Sequence, residues 1–83
     1  MKTYAIPVEK LYVPVKKRQE LDQDKVETLA EDIIENGLKV PIQVRKDEVK
    51  SRLVLVEGAH RLEAYRALGE DHIPGILVQA RKH

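Results

Sequence analysis

Apolar positions fall along the chain in short blocks with two different periods. Tyr4-Ala5-Ile6-Pro7-Val8 and Leu11-Tyr12-Val13-Pro14-Val15 are apolar runs broken by proline. Proline removes a ladder donor, so these runs are expected as edge strands, or as a strand and an extended lead-in. The period then changes. Val26, Leu29, Ala30, Ile33 and Ile34 recur at three- and four-residue spacing, which predicts one apolar stripe on a helix. Asp22 or Asp24 can cap it, and Asp24 with Glu27 fits a capping box. Asn36-Gly37 ends it, with Gly37 suited to the left-handed position after a helix.

Pro41-Ile42-Gln43-Val44-Arg45 alternates apolar with polar and predicts a half-buried strand. Lys46 to Ser51 is polar and reads as a hairpin turn. Arg52-Leu53-Val54-Leu55-Val56 is apolar enough to be buried on both faces. Gly58 breaks that strand. Leu62, Ala64, Tyr65 and Leu68 return to helical spacing, closed by Gly69, and His72 to Val78 reads as a last strand. Arg81-Lys82-His83 reads as a charged, frayed tail. The order strand, strand, helix, strand, strand, helix, strand predicts a compact α+β domain, residues 1–83, with a small mixed sheet and two main helices.

Composition narrows this. With 83 residues the chain is one small domain, and cores of that size often lean on a ligand or a partner. Charged residues make up 35% and hydrophobic ones 42%, with no Trp and no Phe, so the core must be built from Leu, Ile, Val and Ala. There is no cysteine, which excludes disulfides, Cys-ligated zinc and thiol nucleophiles and is compatible with the cytoplasm. No apolar run approaches the roughly 18 residues of a membrane span, and the start is not signal-like. Membrane attachment and export are therefore not expected. Net charge is +1, whereas tight non-specific DNA binding draws on a basic face that releases several counterions. Lys16-Lys17-Arg18 is a candidate local patch, and a solvated loop is the simpler reading.

One turn carries candidate chemistry. In Val56-Glu57-Gly58-Ala59-His60-Arg61 a strand gives way to a helix. Gly58 permits backbone conformations that other residues avoid and lets a ligand come close. The helix start presents unpaired N–H groups, which favour an anion. Arg61 adds a planar fork of donors and His60 a ring that titrates near neutrality. At the start of the first helix, Lys25 lies against the helix dipole, a position eased by a nearby anion. Thr28 offers a hydroxyl one turn on. His72 and His83 need no functional account, and no metal-spaced cluster appears.

Several segments together resemble the ParB/sulfiredoxin superfamily. They are Leu21-Asp22, Lys25-Val26 and Leu29-Ala30, then Gly37-Leu38 with Pro41-Ile42-Gln43-Val44. Val56 to Ala64 resembles the family's GxHR helix start, and Leu68-Gly69 with Ile73-Pro74 its closing strand. The resemblance covers roughly residues 3–80. It implies a nucleotide site on the Gly58 turn for ATP or CTP with Mg2+. Gly58, Ala59, His60 and Arg61 would hold phosphate, and Lys25 and Thr28 would form the opposite wall. Asp32 is a candidate for the magnesium side.

The departures from the family are as informative. In sulfiredoxins the residue between the glycine and the histidine is the catalytic cysteine; here it is Ala59. Reduction of a sulfinic acid by this chain is thereby not expected. A cysteine exchanged for alanine would leave the same sequence, and Val56-Glu57 and Leu62-Glu63 favour a native alanine of the ParB-like branch. Three functions follow from the resemblance. The first is a nucleotide-binding module with slow NTPase turnover as an extension. The second is a small-molecule phosphotransferase resembling free-serine kinases, with Glu20 (or Gln19) as the catalytic base. The third is a ParB-like DNA-binding or nuclease protein, using a basic edge of Lys16, Lys17, Arg18, Arg45, Lys46 and Arg52. A partner protein and a homodimer remain open.

Overall fold

The computed structural model describes residues 2–37 and 40–79. Leu38 of the family motif and the tail Arg81-Lys82-His83 lie outside the described residues. The elements are β1 (Tyr4–Pro7), β2 (Leu11–Tyr12), α1 (Val15–Gln19), α2 (Gln23–Asn36), β3 (Ile42–Asp47), β4 (Arg52–Glu57), α3 (Ala59–Ala67) and β5 (His72–Leu77). A single 3₁₀ turn, Val8–Lys10, joins β1 to β2. The fold is the expected α+β domain with a mixed sheet, and it contains one helix, α1, that the apolar pattern does not announce.

The five strands lie in the order β1-β5-β3-β4-β2. β1 pairs antiparallel with β5 and β3 antiparallel with β4, while β3/β5 and β2/β4 run parallel. Both proline-interrupted runs are edge strands, as expected, because an edge has one side whose donors need no partner. Pro7 closes β1, and Pro14 stands at the N-cap of α1 in extended backbone, with φ −56° and ψ 146°. β2 is only two residues long.

The core lies between the sheet and the two longer helices. Ile6, Val8, Leu11, Ile42, Val44, Leu55, Leu62 and Ile73 fill it, with Tyr65 as its aromatic member. It is aliphatic, as the composition requires. Val54 and Leu55 in β4 are both buried, so the centre of that strand is closed on both faces. On the face away from the core, Val54 stands in register with Tyr12 and Arg45. The Arg52 guanidinium lies 3.7 Å from the centre of the Tyr12 ring. Long side chains of this kind shield an apolar neighbour with their stems and rings.

α2 begins at Asp22, not Asp24. The Asp22 carboxylate accepts from the Asp24 N–H at 3.0 Å, so Asp24 sits in the first turn and does not act as the cap. The stripe on α2 is shallower than its spacing suggests: Val26 is buried and Ile33 packs at the core edge, but Ile34 is 69% exposed. α2 ends at Gly37, whose φ is +77° and whose N–H donates to the Ile33 carbonyl. No helix among the described residues is long and apolar enough to cross a membrane.

Candidate functional site

β4 delivers the chain to Gly58, which has φ +110° and ψ 29°. Side-chain-bearing residues avoid this left-handed backbone. The position is also closed on one side, because a Cβ added there would stand 2.5 Å from Cγ2 of Ile42. The sequence alone made Gly58 a point of close approach for a ligand. The group within the protein that approaches it is Ile42, fully buried at the start of β3.

α3 starts immediately afterwards. Its first intrahelical bond runs from the Leu62 N–H to the Gly58 carbonyl at 2.9 Å. No side chain caps this end, and no acidic residue lies in its first turn. The amides of Ala59, His60 and Arg61 precede that first bond and point outward with the positive end of the helix dipole. α2, by contrast, is capped by its own Asp22.

This end of α3 faces a cleft of about 580 Å³. Gly58, Ala59, His60 and Arg61 form one wall, and Lys25 and Thr28 on α2 form the other. All six residues assigned to the phosphate turn and its opposite wall therefore line one cavity. Glu20, at the C-terminal cap of α1, also lines it. Lys17, Asp24, Leu29 and Glu57 complete the lining and were not assigned from sequence. Lys17 enters because α1 turns it inward, where its ammonium pairs with the Glu57 carboxylate at 3.5 Å. Neither Lys25 nor Arg61 pairs with a carboxylate among the described residues.

Two polar contacts set what the side chains can offer. The Asp22 N–H donates to Nε2 of His60 at 3.0 Å, so Nε2 is unprotonated and the ring proton sits on Nδ1. The Thr28 hydroxyl donates to the Asp24 carbonyl at 3.0 Å, which leaves its lone pairs for a further donor.

Asp32 does not belong to the cleft. It accepts from the Asn36 side-chain amide at 2.9 Å along α2 and is absent from the lining. Its spacing from Thr28 misled because a full turn further along α2 carries it beyond the mouth. No group of three or more metal-ligating side chains occurs among the described residues. The proposed basic edge is also partly spent: Lys17 pairs with Glu57 and Arg52 with Asp47. Arg45 and Lys46, adjacent on β3, point to opposite faces.

The fold has known counterparts. A chloroplastic/mitochondrial sulfiredoxin of Arabidopsis thaliana is 38% identical over 77 residues, covering 93% of this chain and 58% of that protein. The chain thus spans little more than half of that relative's length. The crystal structure of sulfiredoxin from Arabidopsis thaliana superposes with a TM-score of 0.84 at 30% identity, covering 96% of this chain and 88% of that one. C-terminally truncated chromosome-partitioning ParB from Caulobacter crescentus, complexed with CTP-γ-S, gives a TM-score of 0.82 at 23% identity, over 99% of this chain and 47% of that one. A free serine kinase variant in complex with ADP gives 0.82 at 20% identity, over 94% and 31%. At such identities the last two speak for the fold alone. The sequence profile of the ParB N-terminal domain matches residues 2–83, and with it the chain belongs to the ParB N-terminal domain family.

Proposed function

We propose that the chain binds a nucleoside triphosphate, ATP or CTP, with its phosphates on the N-terminus of α3. The observation that carries this reading is the uncapped helix end, which faces Lys25 across one cleft with Arg61 in its first turn. Backbone N–H groups, a guanidinium and an ammonium converge there, the donor set a polyphosphate takes up. Mg2+ would arrive with the phosphates, since it keeps most of its waters and needs only one or two carboxylates. Glu20, Asp24 and Glu57 line the same cleft and offer them.

Ala59 narrows this reading. It occupies the place of the sulfiredoxin nucleophile and has no atom that attacks phosphorus or sulfur, so the chain is read as a holder of nucleotide and not an active sulfiredoxin. Slow hydrolysis needs only a positioned water and is the one turnover this set of residues allows without an acceptor. Calorimetry with ATP, CTP and ADP tests the reading. Arg61→Ala should weaken triphosphate binding about 10- to 100-fold, the value of a hydrogen bond to a charged group. Absence of binding by the wild-type chain at millimolar nucleotide would sink it.

A second reading, phosphotransfer to a small hydroxyl compound, draws on Glu20, which lines the cleft. It requires turnover that depends on both the added acceptor and Glu20. Turnover unchanged in Glu20→Gln and without acceptor would remove it.

A further inference from the structure

The two walls of the cleft come from segments far apart in sequence, and one hydrogen bond joins them directly. The Asp22 N–H donates across 38 positions to Nε2 of His60 at 3.0 Å. Asp22 is the N-cap of α2, and its carboxylate already holds the Asp24 N–H. Both polar ends of this residue are thus engaged, one within α2 and one on α3. Lys25 and Thr28 follow on the first turns of the same helix, so where α2 starts decides how far they stand from the α3 amides.

The chemistry of the bond is one-sided. A neutral imidazole can accept at Nε2 only with its proton on Nδ1, and an imidazolium carries a proton on both nitrogens and accepts from nothing. Protonation of His60 would set N–H against N–H and open the tie. We propose that His60 is a positioning residue: in its neutral Nδ1–H form it latches α2 to the phosphate-binding turn, and gaining a proton releases the latch and weakens nucleotide binding. This rests on the nucleotide reading above and deepens it. It also reverses the sign expected of a histidine that merely attracts phosphate, since such a group binds an anion more tightly once it is cationic.

The charged groups around the ring do not cancel that sign. Lys17 and Glu20 from α1, Asp24 and Lys25 from α2, Glu57 from the end of β4 and Arg61 from α3 line the same cleft; the Asp22 backbone N–H touches the ring directly. The same groups surround position 60 in a His60→Gln variant, so their contribution drops out when wild type is compared with it.

Two measurements decide the matter. In the first, ring-nitrogen and amide resonances of the ligand-free chain are followed from about pH 8 to about pH 5, the window in which an ordinary histidine changes charge. The latch requires Nε2 to be the unprotonated nitrogen at the upper end, and the Asp22 amide to move with the His60 titration. An Nε2–H tautomer, or an Asp22 amide that ignores the titration, would overturn it. In the second, nucleotide affinity is compared across the same range for wild type, His60→Gln and His60→Ala. The Gln side-chain oxygen reaches the Nε2 position and does not titrate, so Gln should restore most of the roughly tenfold loss caused by Ala, as expected for one neutral hydrogen bond. The ratio of wild-type to His60→Gln affinity cancels the titration of the nucleotide's own phosphates. It should fall as pH falls, and a rise would refute the latch. If no nucleotide binds, the functional reading fails, and the resonance measurement still decides whether the latch exists.

Discussion

Gly58 and Gly69 both adopt left-handed backbone, with φ of +110° and +75°, yet a methyl group should affect them differently. At Gly69 nothing lies within 4 Å of an added Cβ, so Gly69→Ala should lose only the backbone term, about 1 kcal/mol. At Gly58 the same atom meets Ile42 at 2.5 Å, and overpacking adds to the strain, for about 2–4 kcal/mol in all. Urea unfolding of the two variants should show that gap, and equal losses would refute the clash. A left-handed turn at Gly58 was legible in the sequence, because a glycine between a strand and a helix invites it. The clash was not, because Ile42 lies sixteen positions earlier and reaches the turn only through the sheet. Tyr65 gives a second prediction at this scale. Burial, helped by the negative charge of Glu70, pushes its phenol above the usual 10.0. A raised value favours the neutral phenol in the folded state. The contribution is therefore whole below pH 10.0 and is lost as pH climbs through the higher folded value. The unfolding free energy of wild type should fall relative to Tyr65→Phe only above that point. A constant difference across the range would contradict it.

The helices differ in how much of them the apolar pattern carried. α2 and α3 were visible because their apolar residues recur with helical period. α1 was not: it is five residues long and buries none of them, so Lys16-Lys17-Arg18 reads as a solvated loop. Its consequence is chemical all the same, since it turns Lys17 into the cleft and sets Glu20 at its edge. Periodicity reports only burial, and a helix that buries nothing leaves no trace in it. The cap of α2 shows a different limit. Asp22 and Asp24 are equivalent by residue type, and only the extended backbone at Asp22, φ −115° and ψ 115°, settles which one caps. Asp22→Ala should lower stability by about 1 kcal/mol, the usual loss for a cap, while Asp24→Ala should change it by less. Chemical denaturation of both variants gives the comparison, and a larger loss at Asp24 would reverse the assignment.

At the scale of the 83-residue chain, the core lies between the sheet and the two longer helices. A domain of this size holds little stability in reserve, so a ligand that binds only the folded state should show strongly in melting. At a nucleotide concentration a hundred times Kd the gain is about 2.7 kcal/mol, which for so short a chain is a rise in Tm of about 10–20 °C. ATP or CTP should produce that rise, a nucleoside without phosphates should not, and Arg61→Ala should remove most of it. Equal shifts with the nucleoside would move the binding energy off the helix end and onto the base.

Ile42 ties these scales together. One buried side chain fills the space where Gly58 would carry a Cβ, and its Cγ1 stands 3.1 Å from the same point on Gly75. A glycine, an isoleucine and a second glycine thus form a sandwich beneath the cleft that tolerates almost no exchange. Ala59, His60 and Arg61 lie above it and line the cavity. Descent with change has room in that upper layer and little below. A lineage could swap one reactive residue for an inert one at position 59 and inherit the geometry of the cleft intact, because that geometry is stored in three positions that do no chemistry.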